Sequence, residues 1–401
     1  MDDITFAPLP PFAGRQATLT RLLHYLRETA PHALCFTSLE GMGKTALLHQ
    51  IPKLDSDFIG VYVVANEPRL IDESVWLTTL IKRTLEELER LDFNVTRLTD
   101  MPLDVDMRVW LNDIFLPEVT RLIRQQRRLV WMLDDVHLLL NAIQKKNLPT
   151  DIPQFLHQLL QTHKQLTIVS TADIAVEAQL TGLSPLIHPD YIERINRLSA
   201  DESHDLLRQT MPTIDRQTSQ HIFVQSGGIP RLLQAYTQAL QDNLDVEHAT
   251  QRVYDHNKET FKKSWQILSR DERIVLTAMS NLSYENPLRA ITPPLIETWL
   301  VETDYPMDII TIHAQIRGLD YQELVVSTPS KIELVSQLFQ RWLFENARID
   351  DPIHTPPRKK TALLVAIAML IVLIMVLFAL NGLPSPLATN TTPIATATLE
   401  N

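Results

Sequence analysis

The chain has 401 residues, enough for two or three domains with sizeable cores, and its 45% hydrophobic content is ordinary for a folded protein. A net charge of −11 argues against a broad polyanion-binding surface, and a single cysteine excludes an intramolecular disulfide framework. No CxxC, no HExxH and no clustered histidine pair offers metal-ligand spacing.

The first residues, MDDITFAPLPPF, lack the charged-then-apolar pattern of a secretory signal. In GRQATLTRLLHYLRET, Leu19, Leu22, Leu23 and Leu26 recur at helical spacing. HALCFTS reads as a short buried strand, which makes Cys35 an inert core thiol. FIGVYVV, residues 58–64, is a second apolar strand, and two amphipathic helices are expected over about 73–91 and 106–126. RLVWMLDD and QLTIVSTAD are two further strands, separated by the helical DIPQFLHQLLQTH. Buried strands alternating with helices predict a parallel sheet covered on both faces.

From about Leu198 the strands give way to helices. SADE (Ser199–Glu202) and SRDE (Ser269–Glu272) are capping boxes. Gly227 and Gly228 end one helix and Pro230 starts the next. Helices continue from about Glu259, followed by two short strands in ELVVS and KIELV and a last helix, SQLFQRWLFEN. Three helices and a small hairpin suggest a winged-helix module. The polar stretch ARIDDPIHTPPRKK then reads as a linker.

TALLVAIAMLIVLIMVLFAL, residues 361–380, is uncharged and about 30 Å long as a helix, the thickness of a bilayer core. Arg358, Lys359 and Lys360 precede it, and residues 381–401 contain no Lys or Arg. The positive-inside rule then predicts a single-pass protein with cytoplasmic amino-terminal domains and a short, disordered extracytoplasmic tail. The expected domains are 8–197 (nucleotide-binding core), 198–257 (helical lid), 258–348 (winged helix), 349–360 (linker), 361–380 (membrane helix) and 381–401 (tail).

SLEGMGKT carries the most specific chemistry. A phosphate cradle needs successive backbone N–H groups, a helix start behind them, one lysine and one hydroxyl. The chain holds only nine glycines, and five of them (Gly14, Gly41, Gly43, Gly227 and Gly228) fall in three short clusters. Gly41 and Gly43 permit the tight turns around Met42; Lys44 would reach the β- and γ-phosphates and Thr45 would ligate Mg²⁺. Ser38 departs from the pattern GxxxxGK[ST], whose first position favours glycine. Asp134 and Asp135 close an apolar strand some ninety residues later; Asp134 would hold Mg²⁺ through water and Asp135 would orient or deprotonate the attacking water. The alternative for this pair is a plain N-cap for the helix after it.

FAGRQATLTRLL, SLEGMGKTALL, LVWMLDDVH, LTIVSTAD and GGIPRLL stand in the order of P-loop ATPases of the STAND class and their AAA+ relatives of the origin-recognition type. The resemblance spans roughly residues 10–345. It implies an α/β fold with a five-stranded parallel P-loop sheet, a helical lid, a winged helix, and ATP and Mg²⁺ as cofactors. By the resemblance Gly14 and Arg15 would lie near the adenine, Ser170 or Thr171 would be the polar sensor, Pro230 would pack by the nucleotide, and Arg231 would sense the γ-phosphate. Ala172 and Asp173 replace the arginine that often follows the sensor, and no histidine motif stands in the winged module. Arg127 and Arg128 are arginine-finger candidates by position only.

Residues 259–348 hold nine Lys+Arg against twelve Asp+Glu, so nucleic acid is not the expected partner, and His313 is a surface or core residue. The expected function is a membrane-anchored, nucleotide-driven switch in signalling or defence, a slow Mg²⁺-dependent ATPase that self-associates or engages partner proteins. Competing readings are a DNA-handling ATPase tethered to the membrane, a secretion-type motor, and a scaffold with a vestigial nucleotide site.

Overall fold

Apolar runs with no polar face must be covered on both sides, and here they form the strands of a three-layer α/β unit. The computed structural model describes residues 12–28, 31–65, 72–98, 106–124, 127–286 and 290–349. Helix α1 (Gln16–Arg27) leads into β1 (Ala33–Ser38), a glycine-containing loop, and the short α2 (Lys44–Leu48) and α3 (Ile51–Leu54). Next come β2 (Phe58–Val64), α4 (Glu73–Arg90), α5 (Met107–Trp110), a π turn (Leu111–Phe115) and α6 (Leu116–Ile123). After these stand β3 (Arg128–Asp134), α7 (His137–Gln144), α8 (Ile152–Thr162) and β4 (Leu166–Asp173). A 3-10 segment (Ile174–Leu183) joins β4 to β5 (Ile187–Arg194).

The sheet order is β2-β3-β4-β1-β5, parallel throughout. Side chains alternate between its faces. One face buries Ile59, Val61, Trp131, Leu133 and Ile168 against α4 to α8. The other buries Phe36, Val130, Met132 and Val169 under α1, α2 and α3.

The five-stranded parallel sheet implied by the resemblance is present; two details were not read from the residues. The helix expected over 106–126 is interrupted, because Pro117 has no N–H to give to Asp113 and the backbone widens into the π turn just before it. β5 carries no apolar run in the sequence; it lies at the sheet edge with His188, Pro189 and Asp190 exposed, so burial did not mark it.

Beyond the sheet lie α9 (Ala200–Thr210), α10 (Arg216–Ser226), α11 (Pro230–Gln241) and α12 (Val246–Gln266). They are followed by α13 (Arg270–Glu285), α14 (Pro293–Glu302), α15 (Ile309–Tyr321), the antiparallel pair β6 (Val325–Ser327) and β7 (Ile332–Leu334), and α16 (Gln337–Asn346). Both capping boxes form as read. Gly227 ends α10 in the left-handed region, and Pro230 opens α11. Leu207, Tyr236, Tyr254, Trp265, Val275 and Trp342 share one core with Leu39 and Met42 of the glycine loop.

The membrane localisation is corrected here. Among the described residues no helix is long and apolar enough to cross a membrane. The longest, α12, carries Glu247, Arg252, Asp255, Lys258, Lys262 and Lys263 along its 21 residues. The expected span 361–380 and tail 381–401 lie outside the described residues, as does nearly all of the expected linker. The single-pass location, with its cytoplasmic and extracytoplasmic sides, is therefore withdrawn.

Candidate active site

Parallel strands bring their carboxyl ends to one edge of the sheet, where ligands of open α/β folds bind. At this edge β1 ends in Ser38 and β3 ends in Asp134. Gly41 and Gly43 take φ of 86° and 88°, a region costly for any residue with a Cβ. The loop then turns into α2 with Gly43 as its N-cap. The N–H groups of Gly41, Met42 and Gly43 donate to no backbone carbonyl among the described residues. Lys44 Nζ folds back over the loop, donating to Ser38 O at 2.8 Å and Leu39 O at 3.1 Å.

Ser38 itself is buried in ordinary extended backbone, its hydroxyl turned to Leu39 O at 3.1 Å. Its φ is not positive, so nothing in the loop's geometry demands glycine there.

Asp134 is 5% exposed and accepts from three hydroxyls. Thr45 Oγ1 donates to Oδ2 at 2.6 Å, Tyr62 Oη donates to the same oxygen at 2.8 Å, and Thr171 Oγ1 donates to Oδ1. These donors converge because Tyr62, Asp134 and Thr171 occupy the same face of β2, β3 and β4, the face that α2 covers. Thr171 Oγ1 also accepts from the N–H of Asp135 at 3.0 Å. Asp135 stands beside Asp134 at φ 57°. Burial, then the charge of Asp134, raises its carboxyl above the usual range. Neither aspartate caps α7, whose N-cap Val136 has no side-chain bond to the helix, so the plain-cap alternative falls away.

Alternation also separates the two sensor candidates. Thr171 faces the site, whereas Ser170 faces the opposite side and donates to Leu34 O at 3.2 Å. Ser170 is thus not part of the cluster. Arg128 begins the strand that Asp134 ends, so it sits at the far edge of the sheet, and Arg127 lies over the Phe93 ring at 5.3 Å. Neither approaches the loop.

The remaining candidates surround the loop. Arg15 is buried; its guanidinium donates to Met42 O at 2.5 Å and Asn196 O at 2.8 Å. Burial pulls its pKa down to about 10, opposed by Glu202 and Glu323. Gly14, at φ 71°, lies so close to Glu202 that a Cβ would meet its side chain at 2.5 Å. Arg231 N–H donates to Gly41 O at 3.1 Å, and its guanidinium pairs with Glu40 at 2.6 Å. A Cβ on Gly43 would touch Pro230 at 3.9 Å, so α11 starts directly against the loop.

Several contributors were missed by sequence reasoning. Tyr62 is one. Glu202 is another: the acid of a capping box also accepts from the N–H of Arg15 at 2.6 Å. Burial would push its carboxyl up, but the N–H donors of Arg15 and Ser199 outweigh it and hold it low. His137 is a third; its Nδ1 is buried without a hydrogen-bond partner among the described residues, and burial lowers its pKa beside Asp135. Only the alternation of FIGVYVV, with Tyr62 as its one polar-tipped residue, hinted at the first.

This donor set fits a nucleotide with its divalent cation: free N–H groups, an ammonium, and a hydroxyl hydrogen-bonded to a buried carboxylate.

No family model matches the chain, and no curated protein matches it. Its fold is similar to that of a Walker-type ATPase of Pyrococcus abyssi, at 14% identity and a TM-score of 0.57, covering 83% of this chain and 96% of that one. It is also similar to the ORC2 protein of Aeropyrum pernix, solved in ADPNP and ADP complexes, at 14% identity and TM-score 0.52, covering 83% and 95%. A STAND protein with a tetratricopeptide repeat sensor from Pyrococcus horikoshii aligns more loosely, at 14% identity and TM-score 0.35 over 85% of this chain and 45% of that one, and by itself establishes nothing. At these identities the likeness is one of fold: an α/β P-loop ATPase fold with a five-stranded parallel sheet.

Proposed function

We propose that this chain is an ATP-binding switch with slow, Mg²⁺-dependent hydrolysis. The observation that carries the reading is the junction of loop and strand end: Thr45 bonded to buried Asp134, Lys44 over the loop, and Asp135 beside them. In this reading α9 to α12 act as a lid and α13 to α16 with β6 and β7 as a winged-helix module.

Mg²⁺, held by Thr45 and Asp134, would neutralise and orient the β- and γ-phosphates. The N–H groups of Gly41, Met42 and Gly43 bind the phosphate oxygens, and Lys44 Nζ offers its remaining proton to them. Asp135, whose raised affinity for protons suits a base, orients a water and takes its proton. Thr171 links the Asp134 carboxylate to the backbone of Asp135, accepting from the N–H of Asp135 while donating to Asp134. Arg231 and Pro230 touch the loop from the lid, so phosphate occupancy biases the lid between two arrangements through differential contact. Self-association or partner proteins would read that bias, as in signalling or defence.

Full-length protein and Lys44→Ala, compared for binding of a fluorescent ATP analogue, test the proposal. Affinity should fall at least tenfold in the variant. Equal binding by both, or none by either, would sink the reading.

A further inference from the structure

Tyr62 belongs to none of the motifs, yet it touches the most tightly held carboxylate of the site. Asp134 Oδ2 accepts from Tyr62 Oη at 2.8 Å and from Thr45 Oγ1 at 2.6 Å, while Oδ1 accepts from Thr171. A carboxylate oxygen offers about two acceptor directions, so both on Oδ2 are occupied. The two donors there differ in kind. Thr45 keeps free lone pairs on Oγ1 for a cation while its proton rests on Asp134. Tyr62 reaches in from β2 with its ring against His49 at 4.5 Å, and its phenol proton competes with a cation for Oδ2.

The geometry points to Tyr62 as a positioning residue that controls access of a divalent cation to Asp134. Its hydroxyl holds Oδ2 saturated when no cation is near, and it must release Oδ2 before that oxygen can serve a cation or its hydration shell. The hydroxyl therefore sets the concentration of cation the site requires, separately from its grip on the nucleotide. The inference rests on the nucleotide reading above.

The test compares full-length protein with Tyr62→Phe, which keeps the ring on His49 and removes only the donor. Binding of a fluorescent ATP analogue is titrated with Mg²⁺ and repeated in EDTA. The Mg²⁺ concentration at half-maximal effect should fall about fivefold, the loss of one competing hydrogen bond, with cation-free affinity unchanged. Tyr62→Leu should shift it in the same direction, which separates hydroxyl from ring. An unchanged or higher half-saturation in Tyr62→Phe would overturn the assignment while leaving nucleotide binding intact. Equal shifts with and without Mg²⁺ would overturn it too, as they would mark a role in loop packing. Nucleotide binding by neither protein would overturn it together with the reading on which it rests.

Discussion

Asp135 shows how a functional carboxylate sits against stability. Burial and the charge of Asp134 raise its folded-state pKa above its unfolded value. The folded state therefore holds its proton to higher pH than the unfolded chain does. Stability falls as pH rises from the unfolded pKa, about 3.9, through the raised folded one, and the penalty is complete above it. Asp135→Asn should then abolish turnover yet stabilise the protein at pH 7 by up to about 1 kcal/mol, discounted for its partial exposure. Urea denaturation at pH 7 and at pH 4 checks this, the gain shrinking at the lower pH. A loss of stability at both would show that the carboxylate is held by favourable contacts. Lys44, Thr45 and Asp134 were legible in the sequence because covalent spacing and strand ends dictate them. The choice of Thr171 over Ser170 was not, since it depends on which face of β4 meets α2. Tyr62 was hidden for a similar reason: its contact exists only once β2 pairs with β3.

Among elements, the turn between α10 and α11 leaves no room for a side chain. Gly228 sits at φ 73°, and a Cβ there would lie 2.2 Å from Leu198 O, the residue whose own N–H donates to Gly228 O at 2.9 Å. Gly228→Ala should cost about 2 kcal/mol, measured by chemical denaturation. A cost within error of zero would mean that the Leu198 segment yields. The glycine pair and Pro230 were legible as a helix stop and start, because those residues act locally. The interruption of the 106–126 helix and the position of the fifth strand, whose existence only the resemblance implied, were not: one needed a proline read against its own register, the other an edge with little burial.

At the scale of the whole molecule, the described residues all belong to the compact unit Met1–Ile353. The core that joins α9 to α16 centres on residues such as Trp265, fully buried and edge-on to Trp342 at 6.3 Å between ring centroids. Trp265→Ala should destabilise by about 3–5 kcal/mol. Amide exchange should rise together in α10 and α16, because one core serves both; protection lost in α16 alone would divide them. Sequence reasoning found the helices of this part and, by resemblance, set Pro230 and Arg231 by the nucleotide, but not the core that Leu39 and Met42 share with these helices or the bond of Arg15 N–H to Glu202, 187 residues away. The union of loop and helices has an electrostatic consequence. Arg231 grips the carbonyl of Gly41 and Arg15 that of Met42. In a trans peptide the next N–H points the opposite way from its carbonyl. Anchoring these two oxygens therefore freezes the dipoles of two successive peptide planes and aims the N–H groups of Met42 and Gly43 away from the clamps. The loop thus meets an anion as a receptor already polarised, with little reorientation left to perform on binding.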